Sequence, residues 1–274
     1  MNDRFVATAI DAAMTAGGFL RERFGQPHDV RHKGTVDLVT EADRGAEELI
    51  ISRIRAEFPD HRLLGEEGTA RLPLDGADRG SPYGWIVDPL DGTTNFAHSV
   101  PHFAVSIGLE ERGEPLGGVI YDPIRDEMFV AERGKGATCN GAPLAVSSAT
   151  ELIDAILATG FAYDLTRRAH QAVAWRHFLP RVQAIRQTGS AALDLCYVAA
   201  GRFDGFWEWG LAPWDMAAGA LMVIEAGGSI SDYENGPFRL YGDELVASNQ
   251  LLHPALLAVV TEKGKGGAGF AVGE

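Results

Sequence analysis

The stretch WIVDPLDGTTNF, Trp85 to Phe96, restricts the possible folds more than any other part of the chain. Trp85, Ile86 and Val87 are a β-prone apolar run that reads as a buried strand, and Asp88 and Asp91 stand at its end with Gly92, Thr93 and Thr94 behind them. A buried strand cannot keep two carboxylates in its apolar surroundings, so its end must reach either a turn or a site. If the segment after Gly92 begins a helix, its free N–H groups form an anion site that faces the two acids. Carboxylates and a phosphate repel one another, so such a site needs divalent cations between them. Mg²⁺ is the ion usually held by a few carboxylates together with substrate phosphate oxygens. The competing reading is a plain turn, with Asp91-Gly92 as a turn dipeptide and Asp88 as a cap.

Around this stretch the pattern divides in two. Apolar residues from Phe5 through Ala9, Ala12, Ala13, Ala16 and Leu20 to Phe24 recur every three or four positions, which predicts a helix over 3–24 closed by Gly25 and Pro27. A second helix is predicted from about Glu41 to Phe58, with Thr40 as its cap, Asp43 completing a variant capping box, and Pro59 as its stop. Arg71 to Gly84 is turn-rich and reads as an exposed loop. FAVSIGLE, GGVIYDP and EMFVAE then suggest an antiparallel meander, making residues 1–143 an α+β half. From 144 to 262, DAILATG, a helix near Arg168 to Leu179, VQAIRQTG and the helix-like SAALDLCYVAAG alternate as in an α/β half. A last helix runs from about His253 to Thr261, and the glycine-rich 263–274 is read as a flexible tail.

Three further acidic points stand where elements begin or end. Glu66 and Glu67 lie between glycines in LLGEEG, and adjacent carboxylates point apart, so one can serve a site while the other faces solvent. Asp215 opens the apolar helix of PWDMAAGALMVIEAGG, where helix capping explains it as well as catalysis does. Asp43 has the same double reading. Strand ends and helix starts are where open α/β sheets put their ligands, so together these acids point to a magnesium-dependent enzyme acting on a phosphate.

With 24 basic against 38 acidic residues the net charge is −14, which argues against direct nucleic-acid binding and leaves no polybasic segment for anionic lipid. Cys139 and Cys196 are far apart without zinc spacing and read as reduced thiols. No run approaches the ~20 apolar residues of a membrane span, and no signal peptide is read, so the expected compartment is the cytoplasm. His98 and His102 flank a loop and are read as structural, since the implied ions prefer oxygen.

The motifs resemble the inositol monophosphatase family. Its first signature, W-[IV]-[IV]-D-P-[IL]-D-G-T-T-N-[FY], stands complete as WIVDPLDGTTNF, and its second is matched by PWDMAAGALMVIEAGG. KGTVDLVTEAD, GEEG and GSAALDLCYVAAGRFDGFWEWG resemble the family's early loop and helix, its metal-binding Glu turn and its substrate-side helix and strand. The resemblance runs from about Phe5 to Thr261.

It implies a layered αβαβα sandwich combining α/β and α+β parts, usually as a homodimer, and a Mg²⁺-dependent, lithium-sensitive hydrolase with two to three ions per site. Most of the metal ligands would come from the N-terminal half. Glu66, Asp88 and the Leu90 carbonyl are implied to hold one ion, and Asp88, Asp91 and Asp215 a second, with a third, weaker ion near Glu66. Asp43 and Thr93 match the pair that activates the attacking water. Gly92, Thr93 and Thr94 would cradle phosphate, while Asp91, Gly189, Ser190, Ala191, Glu208 and Asp215 would meet the alcohol. Lys33 resembles a lysine on a loop of varying length. The substrate class implied is a small phosphorylated polyol, with inositol-1-phosphate favoured because TTN follows the DG pair. Fructose-1,6-bisphosphate, 3′-phosphoadenosine 5′-phosphate and histidinol phosphate are the alternatives on the same fold. A regulatory protein of the transcription machinery is the alternative of another class.

Overall fold

The computed structural model describes residues 3–26, 30–32, 38–68 and 81–262. Lys33, the expected loop from Arg71 up to residue 80, and the tail 263–274 lie outside the described residues. The chain opens with α1 (Asp3–Arg23), the short antiparallel pair β1 (Val30–His32) and β2 (Leu38–Thr40), and α2 (Glu41–Glu57). The three-to-four spacing of α1 buries Phe5, Ala9, Ala12, Ala13, Ala16 and Leu20 on one face, against α2 residues Ile50 and Ile54. Fully burying side chains such as Leu20 or Ile50 contributes about 1.5–3 kcal/mol each.

These helices cover one face of a seven-stranded sheet whose spatial order follows the chain: β3 (Arg62–Gly65), β4 (Tyr83–Asp91), then, after the short helix α3 (Thr93–Ala97), β5 (Ala104–Glu111), β6 (Glu114–Asp122), β7 (Glu127–Glu132), β8 (Gly136–Cys139) and β9 (Ala142–Pro143). The expected meander is β5 to β7; β8 and β9 extend it, and β3 joins β4 in parallel. Tyr83 and Gly84, expected in the loop, begin β4. A second sheet combines β10 (Ile156–Thr159), β11 (Ala184–Arg186), β12 (Gly205–Trp209), β13 (Gly228–Ser231) and β14 (Glu244–Asn249) in the order β11-β10-β12-β14-β13. Its helices are α4 (Leu165–Phe178), α5 (Ala191–Ala199), α6 (Pro213–Glu225) and α7 (His253–Val260). Helix α4 starts three residues before the expected Arg168, because the Asp164 side chain accepts the Arg167 N–H and caps it.

In α6 every residue from Met216 to Val223 is buried. A helix apolar all round must be enclosed on all sides, and α5 with α6 fills the layer between the two sheets. Their core includes Ala104, Ile120 and Phe129 from the first sheet and Phe206, Leu245 and Ala247 from the second. Helices α4 and α7 close the outer face of the second sheet around Phe178, Trp207 and Leu256. The layers are therefore αβαβα, as the resemblance implied.

Candidate active site

The site grows from an irregularity in β4. Three positions separate Asp88 from Asp91, which in a regular strand would send their side chains to opposite faces. Pairing with β5 runs from Asp88↔Ser106 to Asp91↔Ala104, so β4 carries one extra residue across a bulge that contains Pro89, which has no N–H to give the ladder. The extra residue restores the same side. Asp88 and Asp91 then converge with Asp215 of α6, and one carboxylate oxygen from each lies within 4.8 Å of the others.

Each acid is held from behind. The Asp88 Oδ1 accepts the Leu90 N–H at 2.9 Å. The Asp91 Oδ2 accepts the Ser190 hydroxyl and, at 2.8 Å, the Ala192 N–H, which ties the end of β4 to the first turn of α5. Asp215 Oδ2 accepts the Ala212 N–H at 2.7 Å and so caps its own helix. Glu66 follows β3, its N–H donating to the Val87 carbonyl, which sets it beside Asp88. Burial first, then the charges of Glu66, Asp91 and Asp215, push the Asp88 carboxyl well above its usual range. Burial raises Asp91 to about 6, although Ser190 and the N–H groups of Ala192, Ala191 and Leu193 pull it down. Anionic groups packed so closely are stable together only with positive charge among them. Hard carboxylate and carbonyl oxygens suit a hard divalent cation.

Asp43 has both of its sequence readings at once. Its Oδ2 accepts the Thr40 N–H at 2.8 Å and the Thr40 hydroxyl at 2.6 Å, completing the expected capping box. Its Oδ1 accepts the Thr93 hydroxyl at 2.8 Å. Thr93 Oγ1 also lies 3.1 Å from the Leu90 carbonyl, so the pair adjoins the carboxylate cluster. Gly92 enters α3 with φ +98°, and a Cβ there would stand 3.1 Å from the His102 carbonyl and 3.2 Å from that of Gly189.

A cleft of about 440 Å³ opens over this point, and Asp91, Gly92, Thr94, Gly189, Ser190, Ala191, Glu208 and Asp215 all line it. Thus every residue expected to meet the alcohol lines one cavity. Asp43, Glu66, Asp88, Leu90 and Thr93 join it through Asp91, Asp215 and Gly92. Burial, followed by the charges of Asp215, Asp194 and Asp91, raises the Glu208 carboxyl well above its usual range. A Cβ at Gly160 would lie 2.2 Å from that carboxylate, so only glycine fits beside it.

A profile of the inositol monophosphatase family matches residues 1–265. The chain belongs to this family. It is 46% identical over 255 residues to the inositol-1-monophosphatase of Rhizobium meliloti, covering 92% of this chain and 94% of that one. The Nus factor SuhB of Pseudomonas aeruginosa is 45% identical over 234 residues, covering 84% and 85%. The crystal structure of the extragenic suppressor protein suhB from Bartonella henselae superposes with a TM-score of 0.90 at 41% identity, covering 95% of this chain and all of that one.

Several residues of this family member's site escape the sequence reading. Asn95 spends both amide hydrogens on the carbonyls of His102 and Thr188, each at 2.8 Å, and so fixes the loop carrying Gly189. Asp194 accepts the Thr188 hydroxyl at 2.7 Å and lines the cleft. Buried Glu47 accepts the Glu67 N–H and steadies the Glu66 turn. The only sequence signals were an amide inside the first signature and acids on apolar helices. Among the described residues no helix is long and apolar enough to cross a membrane.

Proposed function

We propose that the protein hydrolyses a small phosphate monoester with Mg²⁺, and that inositol-1-phosphate, giving myo-inositol and phosphate, is its favoured substrate. The observation that carries this is the convergence of three acids within 4.8 Å, two of which line the cleft, next to a Thr–Asp pair. Glu66, Asp88 and the Leu90 carbonyl would hold one Mg²⁺, and Asp88, Asp91 and Asp215 a second, with a third, weaker ion near Glu66. Mg²⁺ bound there supplies charge that offsets the attacking and leaving oxygens and lowers the pKa of water.

The protein's own groups do the rest. With its hydroxyl proton directed at Asp43, Thr93 Oγ1 is left as an acceptor that orients a water molecule, and Asp43 is the base behind it. The N–H groups of Gly92, Thr93 and Thr94 hold the phosphate. Glu208 and Asp91 accept hydrogen bonds from ring hydroxyls, and Gly189, Ser190 and Ala191 shape the wall on the alcohol side. Asp91 and Asp215 keep one oxygen each engaged with backbone N–H groups, so their orientation is set before substrate enters. Phosphate release should be measured with Mg²⁺ and with EDTA on inositol-1-phosphate, fructose-1,6-bisphosphate, 3′-phosphoadenosine 5′-phosphate and histidinol phosphate. A Mg²⁺-dependent preference for the first supports the reading; preference for another moves the substrate, and no cleavage removes the phosphatase.

A second reading has support in the name Nus factor SuhB carried by the relative from Pseudomonas aeruginosa. On that reading the protein also associates with the transcription machinery. Retention of RNA polymerase on the immobilised protein tests it, and absence of retention rejects it.

A further inference from the structure

We propose that Asp194 is a substrate-contacting residue that helps set specificity: one of its carboxyl oxygens accepts a ring hydroxyl of the polyol, beside the hydroxyl that Glu208 accepts. This rests on the phosphatase reading above and adds a residue to its alcohol side. Asp194 stands on α5 one turn after Ser190, whose carbonyl accepts the Asp194 N–H at 3.0 Å, and both residues line the cleft. The charge of Asp194 acts on the Glu208 carboxyl, and that of Asp91 acts on Asp194, so the three acids are gathered together.

Its surroundings give no structural reason for an acid. Asp194 is 1% exposed and lies between buried Leu193 and Leu195. Among the described residues no lysine, arginine or histidine pairs with it. A buried carboxyl without a cation is expensive to keep. Its side-chain donor within the protein is the Thr188 hydroxyl, 2.7 Å from Oδ1. An asparagine oxygen would accept that bond without bringing a charge. The Thr188 bond therefore does not account for the acid.

The second oxygen, Oδ2, has no donor among the described residues and is not sealed from the cleft. It is also held still. Thr188, which grips Oδ1, gives its own carbonyl to Asn95 Nδ2 at 2.8 Å. The next residue, Gly189, has φ +86°, and a Cβ there would stand 2.9 Å from the same amide nitrogen, so the loop is fitted closely to α3. Oδ2 is thus an acceptor fixed in place before any donor reaches it. Asp91, Asp194, Glu208 and Asp215 together line the cavity with acceptors, and the alcohol that suits them is one rich in hydroxyl donors.

The test compares inositol-1-phosphate with cyclohexyl phosphate, the same ring without hydroxyls, for the wild type and Asp194→Asn with Mg²⁺. Asparagine keeps an oxygen for Thr188 and turns its NH₂ toward the cleft, exchanging an acceptor for a donor. The variant's kcat/KM for inositol-1-phosphate is expected to fall by about 10- to 100-fold, the range of a charge-assisted hydrogen bond, while that for cyclohexyl phosphate changes little. Among monodeoxy analogues of inositol-1-phosphate, loss of one particular hydroxyl should cost the wild type a similar factor and the variant nothing further. The variant's urea midpoint in EDTA should equal or exceed that of the wild type, since no cation pairing is lost. Equal losses on the two esters, or a variant that unfolds more readily or does not fold, make Asp194 a structural residue and overturn the proposal; so does an unchanged rate on inositol-1-phosphate. No phosphate release from either ester by the wild type would instead remove the inositol-phosphate reading on which it rests.

Discussion

Asp88→Asn should separate what the acid cluster does for stability from what it does for function. At 4.8 Å two ionised carboxylates repel by about 3.5 kcal/mol at an effective dielectric constant of about 20, and Asp88 faces two such partners. Burial first, and then the charges of Glu66, Asp91 and Asp215, hold the Asp88 carboxyl above its ordinary 3.8, so its charged form carries a penalty in the metal-free protein. Because the folded value is raised, this penalty shrinks as pH falls from 7 toward 3.8. Asparagine removes it, keeps Oδ1 as an acceptor for Leu90 N–H and leaves the bulge undisturbed. Urea unfolding in EDTA at pH 7 is therefore expected to give the variant added stability comparable to one such repulsion, about 3 kcal/mol. With Mg²⁺ most of that advantage should disappear, because the wild type gains about 2.7 kcal/mol at a hundredfold excess over the dissociation constant, while the variant gains little and loses turnover. If Asp88→Asn is no more stable than wild type in EDTA, the picture of mutually repelling buried acids is wrong.

Thr93→Ala should lower kcat by about 10²- to 10⁴-fold with little change in KM, and a change confined to KM would contradict the water-orienting role. Asn95→Ala leaves the His102 and Thr188 carbonyls without their donor and should cost about 2–4 kcal/mol in thermal or urea unfolding, together with activity; unaltered stability would argue against the tie. His102 is pushed down to about 4 by burial and the Arg125 charge, while the unfolded chain protonates near 6.5. Between those values the unfolded state binds the extra proton, so native stability falls with pH by up to about 1.4 kcal/mol per pH unit. His102→Gln should flatten that part of the pH dependence, measured as the change in unfolding midpoint between pH 7 and pH 5.

What the sequence revealed of the site follows the range of the interactions. Asp43 and Asp215 cap backbone groups three residues away, and such local bonds leave a pattern in consecutive residues. The strand ending in Asp88 and Asp91 was equally legible because an apolar run abuts two acids. That Asp43 also holds Thr93 is a contact across 50 residues, and it came only from the family resemblance. The bulge at Pro89 was invisible for a sharper reason: one extra residue exchanges the faces of everything beyond it, and residue types do not record the partner strand's register. The layer order came only from the family resemblance; the enclosure of MAAGALMV between the sheets is seen in the fold. The sequence placed Arg168 and Gln171 only within an expected helix, and the fold shows one lining the cleft and the other buried.

The bond from Ser190 to Asp91 spans 99 residues and the acid cluster closes only with Asp215, which orders events as the chain is made. A nascent chain that has emerged as far as β9 has every strand of the first sheet and a carboxylate pair at the end of β4, but neither the helix turn that receives Asp91 nor the third acid. The helix that brings Asp215 also brings the buried run Met216–Val223, so the last repulsive charge arrives with the apolar surface that offsets it. A ribosome-bound chain ending before Pro213 should therefore bind divalent cations weakly, and cation affinity would report completion of the central layer during synthesis.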